Sequence, residues 1–176
     1  MQPPVSSRKR TQLALVLSAL VFVAIGVGIY VGARRSLADA ARVAHTHEVI
    51  GRIDEIQARL LDAESNGRGY LLTGNDGYLL EYQSSTDRLP ILLEQLRRRV
   101  ADNPAQTGNV DRLRGLIETR LRQIQHVLDL YEQHGIDTAR AAINGTVFRT
   151  TAAIREQALV MVQQEQALLA ARGLAA

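Results

Sequence analysis

Residues 49–74 read VIGRIDEIQARLLDAESNGRGYLLTG, and the spacing of apolar side chains in this stretch decides the fold. Val49, Ile53, Ile56, Leu60, Ala63, Gly67 and Tyr70 recur in alternating steps of four and three. That rhythm puts them on one stripe of a helix, the seam along which helices pack in a bundle. Gly74 is placed to end the helix as a left-handed cap, and Asn75 or Asp76 to cap the amino end of the next.

Downstream the rhythm repeats. Leu79, Tyr82, Thr86, Leu89, Leu93, Leu96 and Val100 form a second seam with Pro90 inside it. An internal proline removes one backbone bond and crowds the carbonyl four residues back, so the spacing predicts a bend near residues 86–89 and no end, because the seam continues. Asn103 as cap, Pro104 at the first helical position and Gln106 bonding back to the cap predict the start of a third helix. Its seam is Val110, Leu113, Ile117, Arg120, Ile124, Val127 and Tyr131, stopped by Gly135. A fourth helix is expected from near Asp137, with Ile143, Val147, Thr150, Ile154, Gln157, Met161, Gln164, Leu168 and Ala171 on its seam and a local kink at Asn144 and Gly145. Strand alternation never persists. Short turns make neighbouring helices antiparallel, so the fold class is all-α, an up-down-up-down four-helix bundle. The outer helices, at about 40 and 36 residues, outrun the inner ones at about 26 and 30, and at about 1.5 Å per residue they form a stalk.

Upstream, residues 11–33 hold no charged residue and are flanked by Arg8, Lys9 and Arg10 before and Arg34 and Arg35 after. Crossing a bilayer takes roughly 20 apolar residues, so this run predicts one N-terminal transmembrane helix. Ala38-Asp39-Ala40 has the small-x-small form of a signal-peptidase site, but a cleaved signal has an apolar core of about 7–15 residues, and this run is longer. The organisation expected is a cytoplasmic basic tail (1–10), a transmembrane helix (11–33) and an extracytoplasmic bundle (34–176) in the bacterial cytoplasmic membrane. Basic residues on the two sides of the run nearly balance, so the charge bias for this orientation is small. Helix four returns to membrane level near Arg172, where a second span is expected to begin.

Composition narrows the function. The sequence has no cysteine, which removes disulfides and thiolate metal sites. Its net charge of +3 is spread among acids, and aromatics make up 4% of the chain, so no stacking platform for nucleic acid is formed. No nucleophile with a base, nucleotide motif or paired carboxylates mark an enzyme. Gly67, Gly69, Gly74 and Gly77 follow no strand and precede no lysine, so they form no phosphate loop. His45 and His47, two apart on a helix, point about 200° away from each other and do not chelate one ion. No cofactor or metal is expected.

The segment Asp62-Ala63-Glu64, Arg68-Gly69-Tyr70-Leu71-Leu72-Thr73-Gly74, with Tyr78 and Tyr82, resembles the third type of CHASE domain. Asp102-Asn103-Pro104 with Gln106, the pair Ile154-Arg155, and Glu165 with Leu168, Leu169 and Arg172 resemble it too, so the likeness covers residues 45–172. The resemblance implies an extracellular sensory domain of bacterial histidine kinases, cyclases and chemoreceptor-like proteins, set between two membrane spans. The chain departs from it in holding no second span and no output domain.

Glu64 and Arg68, four apart with the acid on the amino side, are expected to form an ion pair beside the seam. With Tyr70, Tyr82 and Arg155 they are the candidate residues for a small polar ligand or, alternatively, for a polar layer that sets helix register. Ala24, Gly28 and Gly32 recur every fourth residue and form a candidate dimer contact within the membrane. The expected partners are the membrane, a second copy of the chain, and a small ligand or another membrane protein, with no nucleic acid. Three readings stay open: a membrane-anchored sensory input domain, the sensing fragment of a larger histidine kinase or cyclase, and a stand-alone anchored bundle that binds a membrane protein or lipid.

Overall fold

In a computed structural model, which describes residues 5–143 and 145–173, the chain forms helices α1 (Val5–Thr73), α2 (Asp76–Arg99), α3 (Pro104–His134), α4 (Ile136–Ala142) and α5 (Gly145–Gly173). No strand occurs among the described residues. The chain divides into two units, Met1–Ala44 and His45–Ala176.

In the second unit, all seven seam positions of α1 from Val49 to Tyr70 are buried. Val49, Ile53 and Ile56 meet Leu89, Leu93 and Leu96 of α2, Val110, Leu113 and Ile117 of α3, and Ile154, Ala158 and Met161 of α5 in one core. Polar contacts across the helices fix their directions. Arg99 at the end of α2 reaches Glu48 on α1, and Arg97 reaches Asp111 near the start of α3 at 3.1 Å. Gln106 bonds Glu165 while Gln123 bonds Thr150, so α3 and α5 run in opposite senses. Glu64 meets Arg120 and Tyr70 meets Glu132, so α1 and α3 run in the same sense. These four helices therefore pack up-down-up-down, as the seams and short turns predict.

Turn chemistry sets the ends. Gly74 adopts φ +64° and its N–H donates to the Tyr70 carbonyl at 2.8 Å, the left-handed stop expected there. Asn75 then caps α2 by accepting from the Gly77 N–H at 2.9 Å. Asn103 accepts from the Ala105 and Gln106 N–H groups, and Pro104 opens α3. Pro90 lies inside α2 without ending it. Near it the seam departs from the expected register: Ser85 takes a buried position and Thr86 is half-buried, its hydroxyl donating to the Gln83 carbonyl.

Two expectations are corrected. Gln106 does not bond back to the cap. Its side chain is fully buried and donates to the Met161 carbonyl at 3.1 Å and to the Glu165 carboxylate at 2.9 Å. Glu165 is itself buried on α5, and leaving its carboxylate without a donor costs more than an unmade capping bond at a solvated helix end. The fourth helix is also interrupted and is not kinked. α4 stops at Ala142, Ile143 is extended at ψ 102°, and α5 starts at Gly145. Asn and Gly are poor helix formers, and Ile143 is 45% exposed, so no burial at this position compensates for continuing the helix. Asn144 lies outside the described residues.

In the first unit, the described apolar side chains stand exposed, among them Phe22, Ile29 and Leu20. Arg34 lies over the Tyr30 ring, 5.3 Å from its centre. Among the described residues, no helix is long and apolar enough to cross a membrane. The side chains of residues 11–14, Val16 and Ala19, part of the apolar run read from the sequence, fall outside the described residues, as do those of Arg8, Lys9 and Arg10.

Because the core is shared by four helices, truncating a side chain at its centre is expected to cost far more than removing a cap. Ile56→Ala should lower the unfolding free energy by about 2–5 kcal/mol, and Asn103→Ala by about 1 kcal/mol. Urea denaturation followed by circular dichroism checks the ratio; equal losses would contradict a single shared core.

Candidate functional site

An arginine on a seam is anomalous, since a buried cation needs a partner to replace its water. Arg120 occupies such a position on α3, and its Nε lies 2.6 Å from the Glu64 carboxylate on α1. The two side chains keep only 10% and 12% of their accessible surface, and the Thr151 hydroxyl of α5 adds a second contact to Glu64 at 3.3 Å. Glu64 therefore pairs across the bundle with Arg120, and the expected pair with Arg68 one turn along α1 is not formed. Between the two cations, the one on the seam has little access to water as an alternative partner. Arg68 points to the exposed side, where solvation satisfies it.

Beside this pair a groove of about 600 Å³ opens between three helices of the second unit. Helix α1 contributes Glu64, Arg68 and Leu71, α3 contributes Arg120, Ile124 and Val127, and α5 contributes Phe148, Ala152 and Arg155. Ile143, in the break between α4 and α5, completes the apolar side. A smaller cavity of about 300 Å³ shares Glu64, Thr151 and Arg155 with it and is otherwise lined by Gln57, Leu61 and Ile154, among others. Gln123 donates to Thr150 at 3.1 Å, while its buried Oε1 has no hydrogen-bond partner among the described residues.

Of the five candidate residues, Glu64, Arg68 and Arg155 line the groove, together with Arg120. Tyr70 and Tyr82 do not. They are buried with Ala63, Ile124 and Leu128 in a second core cluster toward the Gly74 turn. Tyr131 meets the Tyr70 ring edge-on at 5.5 Å, and the Tyr70 hydroxyl donates to Glu132 at 3.4 Å. Burial raises the pKa of both phenols; the Glu132 carboxylate adds to the rise at Tyr70, and Asp129 adds to it at Tyr82 while Arg120 opposes it. Arg120 was legible as a seam position but not as the partner of Glu64, because a contact between residues 56 apart leaves no trace in local spacing.

The glycines of the motif are explained by close approach. A Cβ at Gly67 would stand 3.2 Å from Ile124 Cγ2, and one at Gly69 would stand 2.6 Å from the Tyr78 ring. Gly67 lets α3 pack against α1 at the base of the groove, and Gly69 seats Tyr78 against α1 at the turn. Among the described residues, no cluster of histidine and acidic side chains could hold a metal ion. Ala24, Gly28 and Gly32 lie in the first unit, and a Cβ added at Gly28 or Gly32 meets nothing within 4 Å.

The family model described as the CHASE3 domain matches residues 39–173. Among solved structures, the sensor domain of the histidine kinase HK9 of Rhodopseudomonas palustris is similar, with 35% identity and a TM-score of 0.62 over 70% of this chain and 97% of the other. No curated protein matches the chain.

Removing one member of the buried ion pair should strand the other. Arg120→Ala is expected to destabilise the bundle by about 3 kcal/mol, and the double replacement Glu64→Leu with Arg120→Met by much less, since it leaves no buried charge. A double-mutant cycle in urea measures the coupling, and additive losses would contradict the pairing. Because folding raises the Tyr82 pKa, the native state holds that proton more tightly than the unfolded chain. Its contribution is complete below about pH 10 and is lost as pH climbs through the raised value. Tyr82→Phe should flatten the alkaline fall in stability, which melting curves between neutral and strongly alkaline pH will show.

Proposed function

The chain belongs to the CHASE3 domain family, and on that premise we propose that it is the extracytoplasmic signal-input domain of a membrane-anchored bacterial receptor. The observation that carries the reading is that one helix, α1, holds both the apolar run of residues 11–33 and the seam of a bundle similar to a histidine kinase sensor domain. Exposed Leu, Ile and Phe side chains each forgo about 1.5–3 kcal/mol of burial in water. A lipid environment removes that cost and accounts for so many on one helix. Tyr30 and Arg34, at the carboxyl end of the run, suit the membrane interface, where amphipathic rings and snorkelling cations sit.

The ten-residue basic tail then lies in the cytoplasm and residues 34–176 lie outside. The receptor works as a homodimer, with Ala24, Gly28 and Gly32 as the helix contact in the membrane, since small residues at every fourth position let two helix backbones approach closely. Signal is transmitted as a small displacement of α1 against α5, the two-state shift of packed helices by which bundles couple a site to a membrane. The chain supplies input and no catalysis.

Alkaline phosphatase fused after Gly173 and expressed in a Gram-negative bacterium should be active, because that enzyme matures only outside the cytoplasm. A fluorescent protein that folds only in the cytoplasm should be dark at the same site. The opposite pair of results would overturn the extracytoplasmic reading.

A further inference from the structure

The groove between α1, α3 and α5 combines charged and apolar side chains in one lining. Three helices each deliver an arginine to it: Arg68, Arg120 and Arg155. The charge of Arg120 is matched by Glu64. Arg68 and Arg155 have no carboxylate partner among the described residues, so two guanidinium groups from α1 and α5 remain to face an occupant. A guanidinium offers paired N–H donors whose spacing matches a carboxylate.

The rest of the lining is largely apolar, with Ile124 and Val127 from α3 and with Phe148 and Ile143, which keep 69% and 45% of their surface exposed. The latter two are large, and burying them requires something in the groove. A bare inorganic anion fits the arginines but gains nothing from this wall and loses its hydration beside it. A neutral apolar molecule gains the wall and leaves the arginines unanswered. The volume, about 600 Å³, is that of a small-molecule site.

Resting on the sensory reading and deepening it, we infer that this groove binds a small organic carboxylate, its acid group between Arg68 and Arg155 and its apolar body against Ile124, Val127 and Phe148. The ligand bridges α1 and α5, the two helices whose relative displacement carries the signal.

The test uses the full chain in lipid nanodiscs and calorimetric titration with benzoate and hexanoate, against benzyl alcohol and inorganic phosphate as half-matched controls. Either carboxylate should saturate at one molecule per chain, with both controls at least about tenfold weaker. Arg68→Ala and Arg155→Ala, both at exposed positions, should each weaken the carboxylate by about tenfold or more while the melting temperature stays unchanged. Ala152→Phe, which fills the groove from its exposed lip, should abolish binding. Absence of saturable heat with both carboxylates, phosphate binding as tight as the carboxylates, or wild-type affinity in the arginine variants would each overturn the inference. So would loss of self-association in Arg68→Ala and Arg155→Ala with carboxylate affinity intact, which would assign the groove to a second copy. The reporter fusions separate the two levels: an active phosphatase with no carboxylate binding defeats the ligand and leaves the input domain standing, whereas cytoplasmic reporter activity defeats the input domain itself.

Discussion

Between the parallel helices α1 and α3, Glu64 and Arg120 hold each other at 2.6 Å with little access to water. Neither charge tolerates that depth alone, since an uncompensated buried ion is costly, so the position of one fixes the position of the other. Apolar seams by themselves allow helices to slide by a turn with modest loss, because one Leu or Ile replaces another. A single ion pair on the seam does not allow it. The pair also divides the interior: the large shared core lies on one side of it along the bundle, and the tyrosine cluster under the Gly74 turn lies on the other.

Close packing near that turn follows from glycine. With no Cβ at Gly67, Ile124 and Tyr82 approach α1, and with none at Gly69 the Tyr78 ring lies against the helix. Gly74 then turns the chain through a conformation that side-chain-bearing residues adopt only with strain. The motif from Arg68 to Gly74 is thus chiefly structural, and of its side chains Arg68 and Leu71 line the groove. At the opposite end of the bundle, Gln106, Glu165 and the amide pairs of Asn109 with Gln157 and Gln164 form a second polar set between α3 and α5. This set fixes the register of the returning helix as the ion pair fixes α1 against α3.

The legible parts and the hidden ones differ in range. The seams of α1 and α3, the Gly74 and Gly135 stops and the Asn103-Pro104 start were all readable, because each depends on backbone geometry within a few residues. For Glu64 the local spacing points to Arg68 one turn away on the same helix, whereas its partner is Arg120 on α3. Gln106 was read as a capping residue because three-residue spacing is the local signal, while its actual partner arrives from Glu165 on α5. Tyr70, two residues beyond Arg68 on α1, faces a different side of that helix, and it meets Tyr82 of α2 in the core.

Helical class, the antiparallel order of neighbours and the turns at Gly74, Asn103 and Gly135 follow from local sequence, since apolar periodicity and caps act through local geometry and need no partner. The sequence also marks the apolar run of residues 11–33 and carries the family likeness. Which charge is matched and which is left at the groove follows from packing between helices. Arg68, Arg120 and Arg155 are equal as residues, and they differ because packing places one against a carboxylate in the interior and leaves two at a groove. Electrostatic partnership at depth is set by three-dimensional distance, which the spacing of residues along a chain does not record.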